Sequence, residues 1–482
     1  MILQLNHLQG KAAAATQEVT EAMYGLLADG TLNQAEFARL RIQLDWLQYK
    51  KNFREVVLVT EGQGTGDSTE PITYVQVDTR QVVPGCLKPE MQRAMFRCKP
   101  NTAAGEDRLP LEEFLPFRKS IAWEFNRLYW HRLKDWEQAL GKTYEQALPG
   151  GQSDANHPEA IGDTVADFWT LLRDLERKQR LPQEIFLLEI GVGTGQRYGV
   201  FLDRFQALDQ QRGTNFYPKL RVLLGDYSMH SLDRSRAAVQ KHIDLCSFVA
   251  LDAMNPLKTL SFLRHKVMHV HLTNVYDNLP NDEMLRRDNR LYFIKVRAYL
   301  PMSEVVRITQ KYELPLERTR NLVTRLLEGG PDYLGDYERG MGFWMEIWDA
   351  MKLEERLVPI EDMIDTAFPP GLDLGKLEDL LQGAPSDVRF HLSSGAIESF
   401  YHTIPLLYPR GYLQVQDIFV TDFNQYRLGW HGPGKMDGSI VNWVNGVLLR
   451  EVGEKAGYDV HFAPFQYRKG SKTSTLYTTQ KE

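Results

Sequence analysis

The segment Glu189-Ile190-Gly191-Val192-Gly193-Thr194-Gly195 carries the residue types in this chain that most directly imply chemistry. Glycines permit positive φ and close approach of backbone to a ligand. A turn of this composition between a strand and a helix wraps a ligand's polar tail and presents N–H groups from the helix start. A dinucleotide fingerprint needs glycine three places after Gly193, and that position is Gln196, which disfavours nicotinamide chemistry. Asp226, Asp252 and Asn274 then close three successive apolar runs. If those runs are strands, all three residues converge with the glycine loop on one sheet edge, where ligands of open α/β sheets bind. Capping of the next helix accounts for Asp226 or Ser228 singly, but not for three consecutive strand ends.

Other reactive constellations are weaker. No H-E-x-x-H, G-x-S-x-G or P-loop pattern occurs. His269 and His271 flank one residue and share a strand face, but no third ligand accompanies them, so packing within the sheet is expected and no metal. His431, in Gly429-Trp430-His431-Gly432, is a further candidate base. Arg118, Lys119, Arg127, His131, Arg132 and Lys134 alternate with aromatics between 116 and 136, yet the acids and apolar stripe among them describe a solvated amphipathic helix rather than a nucleic-acid surface. The run Gly342-Phe343-Trp344-Met345-Glu346-Ile347-Trp348 has the helical spacing of a core stripe.

The elements that must position these residues follow from periodicity. IFLLEI at 185–190, RVLLGD at 221–226, SFVALD at 247–252 and VMHVHLTN at 267–274 are short apolar runs typical of strands buried on both faces. Helical stripes separate the first of them: Tyr198, Phe201, Phe205 and Leu208, then Met229, Leu232 and Val239. This alternation predicts a doubly wound α/β layer. It stops after Pro280 and resumes with a helix carrying Ile397, Phe400, Ile404 and Leu407, a Pro409-Arg410-Gly411 turn, the strand YLQVQDIFV at 412–420, a helix carrying Ile440, Val444, Val447, Leu448 and Val452, and the strand-like YDVHFAPF and TSTLYTT. Residues 1–175 read as a mostly helical accessory region. There Phe37, Leu40, Leu44 and Leu47 mark one amphipathic helix, Ile121, Phe125, Leu128 and Trp136 a second, and ITYVQVD at 72–78 a strand; a loop signal begins at Pro149. The expected units are 1–175, a first core half at 176–280, a helical insertion at 281–388 that shapes the substrate pocket, and a second core half at 389–482.

Composition bounds the rest. The chain has 482 residues, 43% hydrophobic and 25% charged, with a net charge of −6, so it is a globular chain of more than one unit and not a disordered one. No run approaches the ~20 apolar residues that cross a bilayer. Mild acidity argues against dedicated nucleic-acid binding. Three cysteines, Cys86, Cys98 and Cys246, without C-x-x-C spacing fit a reducing cytosol, and the start MILQLNHLQGKAAAATQEV lacks a leader pattern, so a cytoplasmic protein is expected.

The ordered series LLEIGVGTGQ, LLGDYSMHSLDRSRAAV, FVALDAMNP, VHLTNVYDNLP and LLYPRGYLQVQD resembles the motif series of class I S-adenosylmethionine-dependent methyltransferases over about 185–280 and 390–482. The resemblance implies a Rossmann-like sheet of seven strands, the last antiparallel, and S-adenosylmethionine as cofactor. It implies Gly191, Gly193 and Gly195 behind the methionyl part, Glu189 near its ammonium, Asp226 with Tyr227 at the ribose diol, and Asp252 with Ala253 at the adenine edge. Asn274, Tyr276 and Asp277 then fall in the loop facing the methyl group, with Tyr276 and Asp277 orienting the acceptor or taking its proton. Asp277-Asn278-Leu279-Pro280 and the strand hairpin after it resemble, more narrowly, the MidA-like methyltransferases, one mitochondrial member of which methylates protein arginine; Thr273 and Asn274 stand where that family has Asn and Glu. The implied activity is methyl transfer to a small molecule or protein side chain. A cofactor-binding but inactive assembly protein and an NAD-dependent oxidoreductase are the alternatives.

Overall fold

The computed structural model describes the chain except residues 6–11, 46–48, 50, 63–71, 98–106, 149, 288–289, 361–367, 385–386, 430 and 482. Leu47, Cys98, Pro149 and Trp430 lie outside the described residues.

Apolar runs with no polar face need cover on both sides. Ile185–Ile190 (β1), Leu220–Asp226 (β2), Cys246–Ala250 (β3), Val267–Thr273 (β4), Leu407–Asp417 (β5), Tyr458–Pro464 (β6) and Ser474–Gln480 (β7) form a seven-stranded sheet in the order β6-β7-β5-β4-β1-β2-β3. β1 to β5 pair in parallel, and β7 runs antiparallel to both β5 and β6. Alternate side chains enter opposite cores. Ile185 and Leu187 meet Phe168, Phe201 and Phe205, from the helices Pro158–Arg177 and Gln196–Gln211. Leu188 and Ile190 share the other core with Ile397, Phe400 and Leu448, from Ser394–Thr403 and Gly446–Lys455.

Several local expectations are corrected. Phe37, Leu40 and Leu44 do not share a helix: the short helix Gln34–Arg39 gives way to the strand Leu40–Asp45, in which Leu40, Ile42 and Leu44 alternate inward. Leu-Arg-Ile-Gln-Leu-Asp satisfies a period of two as well as a helical one, and pairing with Ile72–Asp78 selects the strand. The first region therefore carries a four-stranded sheet, ordered Ile2–Leu5, Leu40–Asp45, Ile72–Asp78, Val57–Gly62, packed with the helices Ala12–Ala28 and Leu87–Arg97. Pro409-Arg410-Gly411 is a bulge inside β5 rather than a turn before it. Val267 pairs with Leu407 and His269 with Tyr412, so residues 408–411 stand against Met268 alone. Ile440 and Val444 sit in the short strands Ser439–Val441 and Val444–Asn445, and their helix begins only at Gly446.

The insertion is also not purely helical. Its strands Lys352–Pro359, Arg290–Pro301, Glu283–Arg287 and Val388–His391 form an antiparallel sheet that takes in Arg108–Pro110 and Leu115–Pro116 from the first region. The helices Ile121–His131, Leu133–Leu140 and Tyr337–Ala350 share a core with this sheet, and Trp344 and Trp348 are buried there, as their spacing predicts. No helix among the described residues is long and apolar enough to cross a membrane.

One buried cation holds this core to the strands before the last helix. Lys435, on Gly434–Met436, donates from Nζ to the carbonyls of Trp348, Asp349 and Met351 at 2.6, 3.1 and 2.7 Å. The last carbonyls of a helix lack partners within it and carry the negative end of its dipole, so an ammonium is favoured there. Lys435→Met strands those buried carbonyls and is expected to cost on the order of 3 kcal/mol in urea unfolding. A loss below about 1 kcal/mol contradicts the capping role.

Candidate active site

The glycine turn joins β1 to the Gln196–Gln211 helix, with φ of 75°, 57° and 72° at Gly191, Gly193 and Gly195. A Cβ on Gly191 would lie 2.5 Å from Val275 Cγ2, and one on Gly193 would overlap the Tyr144 hydroxyl. Glycine is therefore required by both conformation and contact. The loop's amides are largely satisfied from within. Gly191 and Val192 donate to the Gly225 carbonyl at 2.8 and 3.1 Å, Gly195 to that of Val192 at 3.0 Å, and Gly193 to Asp226 Oδ2 at 3.0 Å.

A cavity of about 380 Å³ opens at the carboxyl edge of β1 to β4. Glu189, Gly191, Gly193, Asp226, Tyr227, Asp252, Ala253 and Asn274 all line it. Gly195 does not; its Cβ position lies 2.5 Å from Ser235 Cα, so it serves the packing of two helices. Asp226 Oδ1 accepts from the Ser228 amide at 2.8 Å while Oδ2 holds Gly193, and burial pushes its pKa up to about 6 against those hydrogen bonds. Asp252, exposed at the rim, accepts from the Met254 amide at 2.9 Å. Tyr227 is 43% exposed, leaving its ring free to cover a ligand at the mouth.

Glu189 is not free. Its Oε2 accepts from Arg197 Nη1 at 3.0 Å and its Oε1 lies 3.0 Å from His271 Nδ1, all three residues being buried. Burial and the neighbouring Arg197 hold His271 below its ordinary pKa, so it is the neutral partner of the pair. His269 stacks on Tyr412 at 4.5 Å and lies 3.3 Å from Gln414 Oε1. Both histidines are therefore packed, and among the described residues no group of side chains is arranged to hold a metal.

The facing wall escaped the sequence reading. Arg118, Trp123, Asn126, Arg127 and Trp130 line the cavity from the helix treated above as solvated, followed by Tyr144, Glu145 and Leu148. The recurrence of Trp123, Asn126 and Trp130 at steps of three and four was the available signal for this face. A strap clamps this wall to the cofactor side. Glu137 meets Arg234 at 3.2 Å, and Glu145 accepts from the Thr194 hydroxyl at 3.1 Å.

Tyr276 and Asp277 are not where the motif alignment places them. Neither lines the cavity; both are buried, at 2% and 5% exposure. Their amides donate at 2.9 and 3.2 Å to Oδ2 of Asp417, at the end of β5, and the Tyr276 ring enters the core. This pull from β5 turns the loop inward and leaves Asn274, Val275 and Asn278 on the cavity. His431 lies edge-on to Trp443 at 4.8 Å, away from the cavity, and burial holds its pKa down to about 3.

Asp277 and Asp417 form a buried carboxyl pair. Burial raises both above the usual 3.8, and the neighbouring Asp417 raises Asp277 further. The folded chain thus retains protons that the unfolded chain releases above about pH 4, so this pair's stabilisation is present in acid and lost as pH rises through neutrality. Asp277→Asn keeps the oxygen that accepts from Asn278 Nδ2 at 2.7 Å but cannot ionise. Its melting temperature relative to wild type is expected to rise by a few degrees between about pH 5 and pH 8. A difference independent of pH excludes the pair as a titrating element.

No protein-family model matches the chain, and no curated protein matches it. Among solved structures it is similar to a Burkholderia thailandensis protein bound to S-adenosyl-homocysteine, with 12% identity and a TM-score of 0.45 over 76% of this chain and 88% of that one. It is similar also to DszA carbon methyltransferase, with 13% identity and a TM-score of 0.31 over 86% and 74%. A third is the citrinin polyketide synthase CMeT domain, with 11% identity and a TM-score of 0.29 over 99% and 98%. With its sheet ordered β6-β7-β5-β4-β1-β2-β3 and only β7 reversed, the chain has the fold of the class I S-adenosylmethionine-dependent methyltransferases.

Proposed function

We propose that this protein binds S-adenosylmethionine and transfers its methyl group to a small molecule or a protein side chain. The observation that carries the reading is the convergence of Glu189, Gly191, Gly193, Asp226, Asp252, Ala253 and Asn274 on one cavity at the sheet's carboxyl edge. These residues fit the cofactor. Asp226 retains lone pairs for a ribose diol beside Tyr227, Gly191 and Gly193 face the cavity with backbone alone, and Asp252 and Ala253 line the part the resemblance assigns to the adenine edge. When bound, the cofactor supplies an activated methyl group on a sulfonium, displaced in line by the acceptor's own nucleophile. The chain's residues contribute alignment: Trp123 and Trp130 line the cavity with the glycine loop, and the Glu137 and Glu145 contacts fix their segment to the cofactor side.

A specific observation favours a second reading. Tyr276, Asp277 and His431, the candidate bases, all face away from the cavity. The acceptor's proton, where it has one, therefore goes to another group on the cavity such as Glu124 or Glu145, or else the chain binds cofactor without turnover, as an assembly or regulatory protein does. Transfer of radiolabelled methyl from S-adenosylmethionine into a lysate of the source organism distinguishes them, because the label's destination separates protein from metabolite. No label despite tight cofactor binding supports the inactive reading, and calorimetric binding of NAD alone defeats both.

Asp226 supplies a sharper test. Asp226→Ala is expected to weaken S-adenosylhomocysteine by roughly 100-fold in calorimetry, through loss of charged hydrogen bonds to the diol. Because the carboxyl titrates at about 6 in the free protein, wild-type affinity should rise with pH up to about that point and level off above it. Unchanged affinity in the variant removes the site assignment.

A further inference from the structure

Five carboxylates line the cavity: Glu124, Glu145, Glu189, Asp226 and Asp252. Four of them are committed. Glu189 is paired with Arg197 at 3.0 Å and Glu124 with Arg127, both oxygens of Asp226 accept backbone amides, and Asp252 stands at the exposed rim with the Met254 amide on Oδ1. Glu145 differs. Among the described residues its side chain accepts only from the Thr194 hydroxyl, at 3.1 Å on Oε1, and no cation pairs with it. Its Oε2 is left for a ligand.

The strap that carries Glu145 brings it to the centre of the proposed reaction. Thr194 follows Gly193, whose amide ties the turn to Asp226 at 3.0 Å. In the cofactor reading the turn backs the methionyl part and Asp226 meets the ribose, and the sulfur joins those two parts. A side chain fastened to Thr194 from the facing wall therefore stands over that junction. The hydroxyl of Tyr144 lies against Gly193, but burial and the neighbouring Glu145 and Asp226 raise it well above its ordinary pKa, so it stays protonated. The Tyr144 amide donates to Glu137 Oε1 at 2.9 Å and Glu137 meets Arg234 at 3.2 Å, which fixes the strap ahead of any ligand.

We infer that Glu145 is the general base of the proposed methyl transfer, and that the acceptor is a nucleophile bearing a proton, an N–H or O–H group, rather than a thioether or a tertiary amine. As the acceptor atom forms its bond to the methyl carbon, the carbon–sulfur bond breaks with its electron pair left on sulfur. The acceptor's proton passes to Glu145, and from there to water at the cavity mouth. The same negative charge favours a sulfonium over the neutral thioether product. The assignment rests on the methyl-transfer reading above and names its acceptor class.

The test joins a binding ratio to a rate. Glu145→Gln keeps the acceptor for Thr194 and removes the charge. It is expected to bind S-adenosylhomocysteine within about twofold of wild type in calorimetry, while its preference for S-adenosylmethionine over that product falls severalfold. Glu145→Asp, which keeps the charge, should hold the ratio. The rate of radiolabel transfer into the lysate component that wild type labels should drop on the order of 100-fold in Glu145→Gln. In Glu145→Ala, added formate should restore transfer in proportion to its concentration, which a merely structural role would not produce. A Glu145→Gln rate within about twofold of wild type overturns the inference, as does an unchanged binding ratio. No transfer by wild type defeats the active reading itself, a result distinct from full activity in the variant.

Discussion

The buried carboxylate of Glu189 is the constraint around which the site is built. It is the penultimate residue of β1, an interior strand of the sheet, two places before the glycine turn, and a carboxylate out of water must be matched in charge and hydrogen bonding. Arg197 reaches it from the first turn of the following helix and His271 from β4. These two contacts fix both flanks of the glycine turn, because the helix can neither rotate nor slide without leaving the carboxylate unpaired. The turn's depth follows from the same arrangement. Gly191 and Val192 close onto the Gly225 carbonyl, Gly193 reaches Asp226, and the cavity takes its floor from the loop so drawn down.

The sheet was legible in the sequence because its strands are short, apolar on both faces and bounded by glycine or acid. IFLLEI has no helical reading of comparable length. Residues that line the cavity through position at a strand end, such as Asp226 and Asn274, were legible for the same reason. What failed had two physical sources. Leu40, Ile42 and Leu44 suit both periods, and only pairing with a distant strand decides between them. Tyr276 and Asp277 lie one or two residues past a legible position, but the direction of that loop is set by Asp417, 140 residues later, whose carboxylate accepts from both amides. The bulge at Pro409 to Gly411 belongs to the same class, since local residues specify a break and only the register with β4 shows that the strand resumes.

The additions to the cofactor fold act as one body where they meet the site. Arg108–Pro110 and Leu115–Pro116 extend the insertion's sheet, and the helices after them share its aromatic core, so the insertion backs the wall formed by residues 118–148 although none of its own described residues lines the cavity. Lys435 ties that core to the segment following β5. The wall's position is therefore set by packing on three sides rather than by its contacts with the cavity, a source of rigidity that a loop in the same place would lack.

On the proposed reading, that wall also restricts which acceptors can enter. Asn126, its central polar residue, gives Nδ2 to the Asn278 carbonyl at 3.1 Å and receives the Ile440 amide on Oδ1 at 2.8 Å, so its side chain is committed to the protein. Arg118 is paired with the buried Asp282, and Arg127 with Glu124. Between these pairs stand Trp123 and Trp130, which offer flat apolar surface. A wall whose charges are internally matched selects by shape more than by charge, and in a chain of net charge −6 nothing outside the site reverses that balance. With Tyr276, Asp277 and His431 turned inward, the proposed methyl transfer would draw mainly on alignment of the acceptor by Trp123, Trp130 and the loop after β4, which line the cavity.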